Sequence, residues 1–256
     1  MMKRMLAVLA CASAFLSIPV GALGSEAEVK LEPAPIDVRD AASLQAGART
    51  FVNYCLNCHG ASLMRYNRLV DIGLTEQQIK DNLLFTADKV GEMMNVAMTR
   101  KDAADWFGPA PDLSLIARSR GPDWLWTYFR GFYRDPKSAT GWNNTVFAGV
   151  GMPHVLWQLQ GDRVLREETV KDSAGREVKD SHGNVSKTVR FETVRPGTLS
   201  PVEYDTVVRD LVNYMTWMAE PNQVLRKQVG IWVIFVLGIL VALSYALYKE
   251  FWKDVH

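Results

Sequence analysis

Cys55-Leu56-Asn57-Cys58-His59 is the stretch that decides the fold. It reads C-x-x-C-H, the pattern by which a c-type haem is attached. Two cysteines three positions apart lie on one helical turn and can reach the two vinyl groups on one porphyrin edge as thioethers. The adjacent histidine then points its imidazole at the iron as proximal ligand. Other chemistries share the bare C-x-x-C. A thioredoxin-like dithiol needs no following histidine and follows a strand in a βαβ unit, whereas the approach here reads as helical. A structural zinc site needs a second Cys/His pair, which the chain lacks.

Cysteine usage agrees with attachment. The chain has three, Cys11, Cys55 and Cys58. Cys11 falls in a segment with a basic start (Lys3, Arg4), an apolar run from Met5 to Val20, and a small-x-small site at Ala22-Leu23-Gly24. That is a signal peptide, predicted to span 1–24. A lipoprotein reading of Leu9-Ala10-Cys11 fits less well, because the apolar run continues past the cysteine. Export would leave only the haem pair. In an oxidising compartment two free thiols tend to a disulfide, a hazard that thioethers remove.

A second topogenic segment lies at the other end. Gly230 to Tyr248 carries no charge and would span ~28 Å as a helix, enough for a bilayer core. Arg226 and Lys227 before it balance Lys249 and Lys253 after it, so the basic flanks do not orient it. The export signal does, which predicts an exported domain at 25–228, an anchor at 229–248 and a cytoplasmic tail at 249–256. The formal charge is +1, with 48% apolar residues. Without Lys3 and Arg4 the balance is 27 basic against 28 acidic residues. Haem propionates would add negative charge, which argues against a nucleic-acid partner and permits a basic protein partner.

Within the domain, Ser25–Ala41 is rich in Pro and Glu and reads as an extended arm. Ala42–Tyr54 is predicted as the helix entering the haem motif. Ser200-Pro201-Val202-Glu203 combines an N-cap Ser, a first-turn Pro and a Glu three residues on, predicting a helix to about Ala219. Gly47 on the first helix would let these two cross closely. Between them, Ile116–Phe132 reads as helical with a break at Gly121-Pro122. The rigid loop Gly108-Pro109-Ala110-Pro111-Asp112-Leu113 could offer a backbone carbonyl to the proximal imidazole N–H. Arg118 and Arg120, just beyond, could pair with propionates or face solvent. Residues 163–196 read as a peripheral excursion of two or three short strands, with His182 in a turn. Asp102, Asp105, Asp123 and Asp162 could form an acidic face, but charges so scattered are usually solvated surface.

An electron-carrying haem iron needs a sixth ligand, and Met is usual at high potential. Ten methionines compete. Met1, Met2 and Met5 belong to the signal peptide. Met93, Met94 and Met98 fall in an amphipathic stretch and read as core filler. Met215 and Met218 fit the packing face of the last helix, and Met64 lies close behind His59. Met152, in Gly149-Val150-Gly151-Met152-Pro153-His154, sits in a loop able to project a thioether into a pocket. His154 is the rival, which would give a bis-histidine centre of lower potential.

These segments together resemble cytochrome c1, the membrane-anchored haem subunit of quinol–cytochrome c reductase. The resemblance spans nearly the whole chain through CLNCHG, GPAPDLSLIARSR, the GMP loop, DLVNYMTWMAEPNQVLRKQVG and the single C-terminal helix. It implies a mainly α c-type cytochrome haem domain with loop and short β insertions, plus one C-terminal transmembrane helix. It further implies one covalent haem c with His59 and Met152 as axial ligands. Pro111 would lie in the haem-packing loop, Arg120 would be the propionate partner with Arg118 as second candidate, and Trp124 the candidate aromatic contact to a propionate. The implied partners are cytochrome b, a Rieske iron–sulfur protein, a soluble or tethered cytochrome c, and membrane lipid. The complex would be dimeric, in a bacterial inner membrane, with the haem domain periplasmic. The chain would be an electron-transfer subunit, with no catalytic residue of its own. The alternatives are an anchored cytochrome c of another pathway, a haem protein with an open sixth site, and a tethered thiol–disulfide oxidoreductase.

Overall fold

The computed structural model describes residues 30–106, 108, 110–170, 176–177 and 187–254. The predicted signal peptide with Cys11, the start of the arm, Pro109, the two turns at 172–175 and 181–184 with His182, and the last two residues of the tail lie outside them. The described residues from Leu31 onward form one unit.

Helix α1, Ala41–Tyr54, starts where the Asp40 carboxylate accepts from the Ser43 amide, meeting a donor that the first turn leaves unpaired. The predicted late helix is present as Pro201–Ala219. Its Ser200 and Glu203 side chains cap reciprocally, and Pro201 occupies the first turn. It is α7, the seventh α-helix among the described residues. The two cross at Gly47, where a Cβ would lie 2.0 Å from the Asp210 carbonyl oxygen and 2.6 Å from the Tyr214 Cβ. Only glycine allows this approach. A buried polar cluster locks the crossing: the Ser43 hydroxyl donates to the Asp210 carboxylate at 2.7 Å, and the Asn213 amide donates to Ser43 Oγ at 3.0 Å and to the Asp37 carbonyl at 2.7 Å. Phe51 and Tyr214 pack beside it, ring centres 5.5 Å apart.

Between these helices run α2 (Glu76–Asn82), α3 (Arg100–Trp106), the single turn α4 (Ile116–Ser119), α5 (Pro122–Arg130) and the turn α6 (Trp157–Gln160). The break between α4 and α5 falls at Gly121, whose φ of +89° suits glycine; Pro122 then starts α5. The helical stretch ends at Arg130, and Phe132 opens a strand instead. A 3-10 helix at Tyr66–Ile72 and three antiparallel ladders accompany these helices: β1 (Ala61–Arg65) with β2 (Met93–Met94), β3 (Phe132–Arg134) with β4 (Trp142–Asn144), and β5 (Gly161–Thr169) with β6 (Lys187–Pro196).

Two readings need correction. The 163–196 excursion forms two long strands, paired from Gly161↔Pro196 to Thr169↔Lys187. Val and charged residues alternating over that length suit an extended ribbon with one wet face. Met94 is buried as core filler on a short strand, whereas Met93 beside it is exposed. Asp162 is no solvated acid: it is buried, with Arg134 Nη2 at 2.9 Å and Arg195 Nη2 at 2.7 Å.

The arm runs along α5. The Glu32 amide donates to Thr127 Oγ1 at 2.9 Å and the Ala34 amide to the Asp123 carboxylate at 2.8 Å, so Asp123 is engaged as well. The last helix, α8, covers Gln223–Phe251, with a mean hydropathy of 2.5 over its most apolar window and exposed apolar residues on every side. At ~1.5 Å per residue it is about 43 Å long, longer than the predicted apolar span, because the basic residues flanking that span are themselves good helix formers.

Candidate functional site

Helix α1 delivers the two cysteines. After Tyr54 the chain tightens into turns: the Cys58 amide donates to the Cys55 carbonyl at 3.1 Å and the His59 amide to the same oxygen at 2.9 Å. Cys55, Cys58 and His59 line one wall of a cavity of about 410 Å³, a volume in the range of small-molecule and cofactor sites. Both thiols are free. Burial, with Cys58 nearby, pushes the Cys55 thiol up to about 12, and burial raises Cys58 too. Dithiol oxidoreductases work with a depressed thiol pKa, the opposite of the direction here.

The His59 ring is oriented from behind. Its Nδ1 lies 2.8 Å from the Pro111 carbonyl oxygen, which can only accept, so Nδ1 carries the proton and Nε2 keeps its lone pair. Burial lowers the imidazole pKa, keeping the ring neutral and able to ligate. The Pro111 carbonyl is held by its neighbours. The Asp112 carboxylate accepts from the Ser62 amide and the Ser114 amide, both at 2.8 Å, and the Leu113 amide donates to the Gly60 carbonyl at 2.8 Å. Burial works against the ionised Asp112, yet the hydrogen bonds from Ser114 and Ser62 hold its carboxyl below the ordinary range. The sequence reading quoted Asp112 within its motif without giving it this role; an Asp directly after the proline of a turn was the available signal.

Met152 lines the same cavity. Its loop is tied to α5 by two asparagines that the sequence reading passed over. Asn144 donates to the Tyr128 carbonyl at 2.8 Å and accepts from the Val146 amide at 2.8 Å, while Asn143 accepts from the Gly149 amide at 2.9 Å. The Tyr128 hydroxyl donates to Met152 Sδ at 3.4 Å. Burial pushes the Tyr128 hydroxyl pKa upward, so it remains a donor. The rival His154 does not line the cavity. It is 1% exposed, stacks on Phe132 with centroids 4.7 Å apart, and shares a hydrogen bond with Gln160 through Nε2 at 2.8 Å. Burial drives its pKa down to about 3, the state of a neutral core histidine. Met98, read as core filler, lines the cavity, as does Met215.

The two arginines part company. Arg120 lines the cavity, its guanidinium 5.2 Å from the Trp124 ring centre. Trp124 also lines it and stacks on Tyr128 at 4.7 Å. Arg118 is drawn away to Glu220, with Nη1 to Oε2 at 2.8 Å, and Glu220 also pairs with Arg226 at the start of α8. Arg118 therefore braces the root of the last helix and stands apart from the cavity.

The donor set suits a covalently held haem: two thiols on one turn, an imidazole with a free Nε2, a thioether in the same cavity, a cation in its lining, and mainly apolar walls.

The Cytochrome C1 family model matches residues 33–105 and 86–255. The chain is 47% identical to a protein of Nitrosomonas europaea named ammonia monooxygenase gamma subunit, over 95% of this chain and 96% of that one. It is 46% identical to cytochrome c1 of Allochromatium vinosum, over 96% and 98%. It is 25% identical to the cytochrome b/c1 protein of Bradyrhizobium diazoefficiens, over 87% of this chain and 34% of that one.

Proposed function

This chain belongs to the cytochrome c1 family, and we propose that it takes electrons from a Rieske iron–sulfur protein and passes them to a soluble or tethered cytochrome c. It would do so beside cytochrome b in a dimeric quinol–cytochrome c reductase. One observation carries the reading: Cys55, Cys58, His59 and Met152 converge on one mainly apolar cavity. Haem c, when bound, supplies a one-electron Fe(III)/Fe(II) couple, at high potential with a His/Met pair. Cys55 and Cys58 hold it as thioethers. Pro111 fixes the tautomer that leaves His59 Nε2 able to ligate the metal, and Met152 would supply a thioether donor from the same cavity. Arg120, in the cavity lining, would neutralise a propionate. The apolar walls exclude water, which limits reorganisation around the changing charge. No acid, base or nucleophile of the chain takes part.

The family and the long apolar helix make this a membrane-anchored protein. The haem domain lies on the periplasmic side of a bacterial inner membrane, with Gly230–Tyr248 as the membrane-spanning part of α8. The name cytochrome b/c1 of the Bradyrhizobium relative supports association with cytochrome b.

Purification from solubilised membranes through a tag on this chain tests the reading. Cytochrome b and a Rieske protein should co-elute, and added quinol should reduce the covalent haem. Recovery with a monooxygenase in their place, or haem that quinol cannot reduce, would overturn it.

A further inference from the structure

Tyr128 has no part in attachment or in axial ligation, yet its hydroxyl reaches Met152 Sδ at 3.4 Å from inside the cavity wall. The ring is fixed on several sides. Trp124 stacks on it at 4.7 Å, Phe132 meets it edge-on at 5.0 Å and Phe129 at 5.6 Å. Its backbone carbonyl accepts from the same Asn144 side chain that gathers the amide at Val146. Donor and thioether loop are thus mounted on one support, and the hydroxyl has little freedom to turn elsewhere.

We propose that Tyr128 is a positioning residue that sets the ligand strength of the Met152 thioether. The inference rests on the reading of Met152 as distal ligand. A thioether sulfur has two lone pairs. One can bind the metal while the other accepts the Tyr128 O–H. That hydrogen bond draws density from sulfur, weakening its donation to the metal. The oxidised metal needs that donation more, so the reduced state gains. The same contact limits the swing of the Met152 side chain and keeps it in the cavity. Arg120 lies 5.2 Å from the centre of the Trp124 ring that stacks on Tyr128. A neutral hydrogen bond shifts an equilibrium by a factor of about two to ten, and sulfur is a weak acceptor, so the lower part of that range is expected.

Tyr128→Phe keeps the ring and its stacking and removes only the donor. At an ambient potential where the wild-type holoprotein is half reduced, the variant should hold about two- to fivefold less ferrous relative to ferric haem. Its long-wavelength ferric band from the thioether should persist. In a Met152→Leu background the same change should leave the redox poise where it was, because the acceptor is gone. An unchanged poise in Tyr128→Phe alone overturns the proposal. So does an equal shift in both backgrounds, which would assign the effect to cavity polarity. Retention of the thioether band in Met152→Leu alone overturns the ligand assignment itself, and this inference with it.

Discussion

Gly47→Ala puts a methyl group where α1 and α7 touch. The added Cβ would stand 2.0 Å from the Asp210 carbonyl oxygen and 2.6 Å from the Tyr214 Cβ. Neither neighbour is the free end of a flexible side chain, so the helices must part by more than an ångström to restore ordinary contact. Overpacking of this kind costs roughly 1–3 kcal/mol, and a clash against helix backbone belongs near the top of that range. Alanine recovers about 1 kcal/mol of helix propensity. The net loss is about 2 kcal/mol, or ~4–8 °C in Tm for a domain of this size. The parting also strains the Ser43–Asp210 and Asn213–Ser43 hydrogen bonds, and it moves the helix end that carries Cys55. Thermal melts of the detergent-solubilised holoprotein, followed by circular dichroism and by the haem band, measure the effect. Gly91→Ala is the control, since a Cβ there meets nothing within 4 Å. A Gly47→Ala protein that melts at or above the wild-type temperature would refute the close-crossing argument.

Three other outcomes are expected. Met152→Leu should abolish the thioether band, admit carbon monoxide, and lower the potential by an amount on the order of the span that axial ligands control, whereas His154→Ala should preserve band and potential; redox titration of the two variants decides between the ligands. Cys58→Ala should leave a single thioether, seen as a shifted pyridine haemochrome band with haem still bound to the denatured chain on a gel. A chain ending at Gln228 should be released from washed membranes as a haem-loaded soluble protein, and retention on those membranes would reveal a second membrane element.

Much of this protein was legible because its sequence signals are local. C-x-x-C-H acts within one helical turn, the Ser200–Glu203 cap within four residues, and an uncharged apolar run of bilayer length needs no partner to be recognised. Gly47 announced a close crossing because glycine in a helix is costly without a reason. Long-range choices stayed out of reach. His154 and Met152 sit two residues apart in one loop, and both residue types can ligate iron. Only packing separates them: Phe132, Trp142 and Gln160 enclose His154, while Met152 is left facing the cavity. Arg118 and Arg120 likewise share a sequence neighbourhood, and Glu220, some hundred residues away, draws one of them off. Asp162 looked solvated until two strands brought Arg134 and Arg195 against it. A motif states which atoms can react with a cofactor. Which neighbouring side chain is free to do so depends on burial and on partners distant in sequence, and those exist only once the chain has folded.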